Sequence, residues 1–365
     1  MSRKPKTDNT VYENIKLDIP AGEEWTYQIE GMKAPVIGKP VEDAAKKKVI
    51  VVIVLVIAIA LSIFFSVRAV HSDTYNFEQL ENGWQFSKFS NPGDITEITV
   101  DYAEGDTSKP ITEIREYAFN CDDKLTSITI GKTVEKIDGK SFYSVWNLQN
   151  IYVDKENKNY CDVDGVLYNK DMTEVICYPI DHDFYLREKA GYKEELRKDS
   201  EDYDEKYIES VQTYKIPETV VKIGELAFNY ANLVTVYFPE GLETVETMAF
   251  FKCWDLAHII TYGAKGEYNS LPDTLRYIGS DAFAYNQGLD YMFIPASVEY
   301  IGHHAFWDTV YKEDGELKGV SVMNVERSEE DFKASVESGD HWLPSYDWKL
   351  LKKTIDVNYS ASREK

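Results

Sequence analysis

Residues 298–306 read Val-Glu-Tyr-Ile-Gly-His-His-Ala-Phe, and the same phrase returns five more times along the chain. Aligned on the last residue, the copies end at Phe119, Phe142, Phe228, Phe250, Phe283 and Phe306. Three neighbouring pairs are 23, 22 and 23 residues apart. Eight positions before each Phe stands an aliphatic residue (Ile111, Val134, Val220, Leu242, Leu275, Val298), and five before it another (Ile114, Ile137, Ile223, Val245, Ile278, Ile301). The residue just before the Phe is alanine in five copies and Ser141 in the sixth.

Working outward, each Phe is followed by a Leu-x-x-Ile-x-Ile phrase: Leu125/Ile128/Ile130, Leu148/Ile151/Val153, Leu233/Val236/Phe238, Leu256/Ile259 and Leu289/Met292/Ile294. Ile95/Ile98/Val100 is the same phrase without its upstream half. Alternation over its last three residues is strand periodicity, and the repeat length lies in the leucine-rich range. One such unit cannot bury its apolar side alone, so the units must stack as coils around a shared core, with the Phe rings as an internal spine. The predicted fold is an α/β-type repeat solenoid, mostly strands and turns, over residues 95–325.

The phrases "VEYIGHHAF", "VVKIGELAF" and "LRYIGSDAF" resemble the BspA-like leucine-rich repeat proteins of bacterial surfaces and some protists. The resemblance covers roughly residues 95–325. It implies a surface binding or adhesion module and names no ligand.

The second decisive stretch is Val49 to Val67, which is free of charge and has only Ser62 and Ser66 as polar members. As a helix it would run about 28 Å, enough to cross a bilayer core. Lys46, Lys47 and Lys48 precede it and Arg68 alone follows, which predicts a single-pass anchor with a cytoplasmic N-terminus and exterior repeats. A cleaved signal peptide is the rival reading, but the 48 residues ahead of the stretch exceed an ordinary n-region. The expected layout is a cytoplasmic tail (1–48), the membrane anchor (49–67), a stalk and N-terminal cap (69–94), the repeats (95–325) and a C-terminal cap (326–365). Two insertions interrupt the repeats, a hairpin (157–180) turning near residues 169–172 and a charged segment (181–212). Within the latter, "REKAGYKEELRK" predicts a short helix. Ser328 and Asp331 predict the start of another.

Formal net charge is −23, and with the tail's +1 and Arg68 set aside, residues 69–365 carry about −25. Such a surface repels nucleic acid, teichoic-type polymers and anionic headgroups. No GxxxxGK[ST], GxSxG or HExxH is present, so no enzyme, cofactor or metal is predicted. Cys121 and Cys253 sit at repeat turns, Cys161 and Cys177 in the hairpin insertion, and free, mostly buried thiols are expected.

Surface remains as the carrier of function. If the last two aliphatics of each strand phrase point inward, the residues flanking and between them face the open side. Two columns then form, Glu97, Ser127, Asn150, Thr235, His258, Tyr291 and Thr99, Thr129, Tyr152, Tyr237, Ile260, Phe293. Their C-terminal part becomes aromatic, which marks a binding face. The expected site is a concave sheet that takes a protein or glycan partner near the membrane or cell wall through Tyr152, Tyr237, His258, Ile260, Tyr291 and Phe293. The alternative is a structural or signal-relaying membrane component with a cytosolic partner.

Overall fold

Each copy of the phrase becomes one coil carrying two strands. One follows the Phe and the other precedes it, the latter two residues long except before Phe119, where it is Ile111–Ile114. The computed structural model describes residues 75–91, 93–120, 122–189, 212–289, 291–313, 316–319, 322–331 and 356–362. All of them fall within one compact unit, Arg68–Lys365. The expected tail and membrane span lie outside the described residues, as does most of the charged insertion. Among the described residues no helix is long and apolar enough to cross a membrane.

The longer strands pair in parallel and in register, Ile128 beside Ile98 and Ile151, and Val236 beside Ile259. Inward residues of these strands are buried because alternation sends every second side chain into the core. The short strands form a second parallel ladder that the sequence phrase did not announce. In it Val175, Ile223, Val245, Ile278 and Ile301 are successive partners.

Between the two ladders lies the spine. All six repeat Phe residues are buried, and the rings stack nearly parallel. Phe119 lies 5.6 Å from Phe142, Phe228 4.8 Å from Phe250, Phe250 5.4 Å from Phe283, and Phe283 5.6 Å from Phe306. The small residue before each Phe has a backbone reason. Phe228, Phe250 and Phe283 each donate their amide to the alanine carbonyl of the next coil, Ala249, Ala282 and Ala305. Phe119 donates likewise to Ser141, whose buried hydroxyl donates to the carbonyls of Arg115 and Asp138.

The first insertion departs from the single hairpin expected of it. It makes three strands, Tyr160–Val163, Val166–Asn169 and Glu174–Cys177, with a first turn at Asp164-Gly165. Both residues of that turn have positive φ, the geometry that Asp-Gly supplies in a two-residue hairpin. Its last strand joins the short-strand ladder through Val175, and Tyr178 then takes the place of a repeat Phe. The Tyr178 amide donates to Ala227, and its ring stacks on Phe228 at 5.3 Å. The buried side chains accordingly divide into two cores. Leu167, Ile176 and Cys177 pack with the N-terminal one, and Val166, Tyr168, Val175 and Tyr178 with the C-terminal one.

At the N-terminal end, strand Gly83–Phe89 pairs in parallel with Ile111–Ile114, while Tyr75–Leu80 folds back on it. The Phe89 amide donates to Ala118, so the segment behaves as half a coil. At the other end the ladder passes beyond residue 325. Strand Val322–Val325 pairs with Met292–Ile294, and Asp356–Tyr359 pairs with it in turn. Residues 329–331 are helical, and the Ser328 hydroxyl accepts the Asp331 amide at 3.1 Å. In the charged insertion the helix is His182–Lys189, starting five residues before the expected segment. None of Cys161, Cys177 and Cys253 is bridged. Burial pushes the Cys177 and Cys253 thiols far up.

Candidate functional site

The six residues expected on one strand face are divided among three sheets. Tyr152 ends a sheet with Thr99 and Thr129, Tyr237 pairs with Ile260 in a second, and Phe293 pairs with Asn324 in a third. The first break is the insertion after Val153. The second arises because strand Gly266–Tyr268 occupies the edge of His258–Gly263, where the next coil would have paired. Tyr152 is exposed, with Tyr185 of the insertion helix near it. Tyr237, His258, Ile260 and Tyr291 are half-buried. Lys215 Nζ lies 5.9 Å from the Tyr237 ring and 3.9 Å from that of Tyr262, so this part of the face is already covered by a cation.

Phe293 is a correction. It occupies an outward position between Met292 and Ile294, yet it is only 1% exposed. Both faces of that strand are buried, and the Leu271 amide bonds to the Phe293 carbonyl. Period-two alternation assigns a face and cannot tell whether another segment covers it.

A second exposed aromatic surface lies on the turns that flank the spine Phe residues. Trp254 is 49% exposed, Tyr117 43%, Trp146 41% and Trp307 38%. Tyr143, Tyr230, Phe251 and Tyr285 fill the positions among them, half-buried. The rings form a ridge from coil to coil. Tyr117 contacts Tyr143 at 6.1 Å, Trp146 contacts Tyr230 at 4.8 Å, Tyr230 contacts Trp254 at 5.4 Å, and Phe251 contacts Tyr285 at 5.4 Å. The Trp146–Tyr230 contact carries the ridge across the joint between the two cores. Lys252 lies over the rings of Tyr230, Phe251 and Tyr285 at 5.1–5.5 Å.

Backbone geometry holds the ridge outward. Two residues before the Phe, φ is positive at Tyr117, Leu226, Met248, Asp281 and His304. Two residues after it, φ is positive at Ser144, Tyr230, Lys252, Tyr285 and Asp308. None of these is glycine, and each costs on the order of 1 kcal/mol. Neighbouring coils hold them there: the amides of Tyr230, Lys252 and Tyr285 donate to the carbonyls of Phe251, Ala284 and Trp307. The tyrosines and Lys252 thereby project from a backbone with little freedom.

The aromatic positions alternate between coils. After Phe142 and Phe250 the aromatics stand at the first and fourth places, Tyr143/Trp146 and Phe251/Trp254. After Phe228 and Phe283 the aromatic stands at the second place, Tyr230 and Tyr285, with Asn232 and Gln287 at the fourth. This alternation is legible in the sequence and points to the turn edge.

With this geometry in place, the comparisons with known proteins fall into order. The model of the BspA type leucine rich repeat region matches in six copies over residues 84–174 and 203–313, more than half of the chain. The chain belongs to that family. No curated protein matches it. Among solved structures, it is similar to a leucine-rich repeat protein from Eubacterium ventriosum (21% identity, 66% of this chain and 49% of that one, TM-score 0.43). Others are the pneumococcal vaccine antigen PcpA (16%, 76% and 71%, 0.42) and a leucine-rich repeat protein from Bacteroides ovatus (18%, 64% and 49%, 0.37). The BspA-type chain spans about half the length of the Eubacterium and Bacteroides proteins.

Proposed function

We propose that this BspA-type chain is a binding module anchored in the cell membrane by residues 49–67, with a cytoplasmic N-terminus and exterior repeats. It takes a protein or glycan partner on the turn edge of its coils. The observation that supports this reading is the exposed aromatic ridge, since tryptophan and tyrosine held open on a rigid backbone are the side chains that dominate binding interfaces. The charge-free stretch behind Lys46–Lys48 supports the anchor and its orientation. Tyr152, Tyr237, His258, Ile260 and Tyr291 form a lesser surface on the strand face. No reaction is assigned to the module.

The test is partner capture by crosslinking on intact cells that carry the full chain. Trp254→Ala should lose the captured species, and Tyr237→Ala should keep it. The reverse would move the site to the strand face. Labelling of the repeats by antibody on wall-digested cells checks the orientation, and labelling only after membrane permeabilisation would overturn it.

A further inference from the structure

Strand Glu97–Val100 opens the ladder of long strands and pairs on one side only, with Ser127–Ile130. The Ser127 and Gly131 amides donate to the carbonyls of Thr96 and Val100, so Thr96, Ile98 and Val100 direct their backbone groups at that neighbour. The residues that alternate with them bond toward the opposite side. At Ile95 that side is closed by Asn91, whose carboxamide donates to the Ile95 carbonyl at 2.7 Å and accepts its amide at 3.2 Å. At Asp101 the carbonyl accepts the Ile111 amide at 2.8 Å. Glu97 and Thr99 stand between these two closures, and among the described residues nothing bonds to their amides and carbonyls.

Comparable edges elsewhere in the solenoid are sealed. The Ile151 amide donates to the Gly165 carbonyl and the Val153 amide to the Asp162 carboxylate, both at 2.8 Å. Strand His258–Gly263 is closed by Gly266–Tyr268. At the N-terminal end itself, Tyr75–Leu80 covers Gly83–Phe89 and with it the short-strand ladder, and leaves the long-strand ladder bare. A bare strand edge is a template for another strand.

Side chains around this slot define what fits it. Glu97 and Thr99 are exposed on its outer face, Asp94 is exposed just before them, and residues 69–365 carry about −25. That charge repels a second copy of the chain and attracts a cation. Between Glu97 and Thr99, Ile98 turns into the N-terminal core, so a residue placed beside it meets apolar side chains while its own neighbours face water. We infer that strand Glu97–Val100 is completed by an extended segment of a partner protein in which lysine or arginine alternates with aliphatic residues. Backbone bonds to Glu97 and Thr99 supply its affinity, and a cation opposite Glu97 supplies selectivity. Neither residue belongs to the aromatic ridge, so the two sites are tested separately.

The experiment uses the full chain purified in mild detergent and a synthetic peptide that alternates lysine and valine. Hydrogen exchange at single-residue resolution should find the Glu97 and Thr99 amides fast in the free chain and slowed by the peptide, with Ile98 and Val100 slow throughout. Two further peptides carry N-methyl groups, one on the valine amides and the other on the lysine amides. A parallel strand with lysine opposite Glu97 offers its valine amides to the edge, and an antiparallel one its lysine amides. One methylated peptide should therefore bind and the other should not. Thr99→Pro removes an outward amide and keeps the bonds to Ser127–Ile130, and it should weaken binding about tenfold or more. Glu97→Lys should weaken the lysine peptide and admit the same peptide with glutamate for lysine. Slow exchange at Glu97 and Thr99 in the free chain, or the same result from both methylated peptides, overturns the inference. So does self-association of the chain that Thr99→Pro abolishes, which would make a second copy the occupant.

Discussion

The two cores of the solenoid are made from the same phrase and packed differently. In the C-terminal core, four repeat Phe rings and Tyr178 stack without a gap, and Phe250 is pressed from both sides at 4.8 and 5.4 Å. In the N-terminal core there are two repeat Phe rings, and the end of the stack is closed by Phe86, 5.1 Å from Phe119. The segment that divides them in the sequence is the one that joins them in space. Its strands send alternate residues into either core, Leu167 into one and Val166 and Tyr168 into the other. An interruption of a repeat is therefore not a defect in the array when its own strand periodicity supplies both neighbouring faces.

The largest effect should come from the spine. Phe250→Ala is expected to cost roughly 3–5 kcal/mol, because a ring packed on both faces leaves a cavity that its neighbours cannot fill. Phe142→Ala, at the end of the shorter stack, should fall at or below about 3 kcal/mol. Equilibrium denaturation of the two variants decides this, and equal losses would mean that the two cores are not packed differently.

Next in size is a crossed pair within the insertion. Val175→Ala should lower hydrogen-exchange protection across residues 216–306, and Leu167→Ala across residues 98–151, each costing about 1–4 kcal/mol. If either variant loosened both regions alike, the insertion would be the centre of one core and not the joint between two.

A smaller loss is expected at Gly302, where an added Cβ would stand 2.3 Å from the Ser280 amide nitrogen of the preceding coil. Gly302→Ala should cost about 1–3 kcal/mol by forcing adjacent coils apart. Asp138 holds the equivalent place before Phe142, so the N-terminal core accepts a side chain there. Full stability of Gly302→Ala would show that the C-terminal coils are not closely pressed.

The smallest effect concerns charge on the short-strand ladder. Lys222 lies between Glu174 of the insertion and Glu246 of the following coil, at 3.2 and 3.3 Å. Burial acts to lower its pKa, and the two carboxylates outweigh it, so the net shift is upward. A raised folded-state pKa stabilises fully below the ordinary lysine value of about 10.4, and that contribution is lost as pH climbs through the folded-state value. Lys222→Gln should therefore cost under about 1 kcal/mol near neutrality, since all three groups are partly solvated. The gap from the wild type should close as pH is raised past the lysine range. A gap that persisted there would assign the loss to packing.

Periodicity alone determined a great deal. The offsets of Ile114, Ala118 and Phe119 from one another, repeated six times, fix the stacking of coils, since only a shared core can bury them. The same alternation gave the inward residues of the long strands, Ile128, Ile151 and Val236. What it could not give was the state of the opposite face. Phe293 and Tyr237 read alike in the sequence, yet one is sealed and the other half-open, because cover comes from segments distant along the chain. The turn-edge aromatics were written in the sequence as plainly as the spine, but their exposure depends on left-handed residues such as Tyr230 and Tyr285. Those conformations exist only because amides in one coil reach carbonyls in the next. The chain's order of residues thus specifies which groups must be hidden from water. Which of the rest stay in contact with it is decided by tertiary packing, through contacts between positions far apart in sequence.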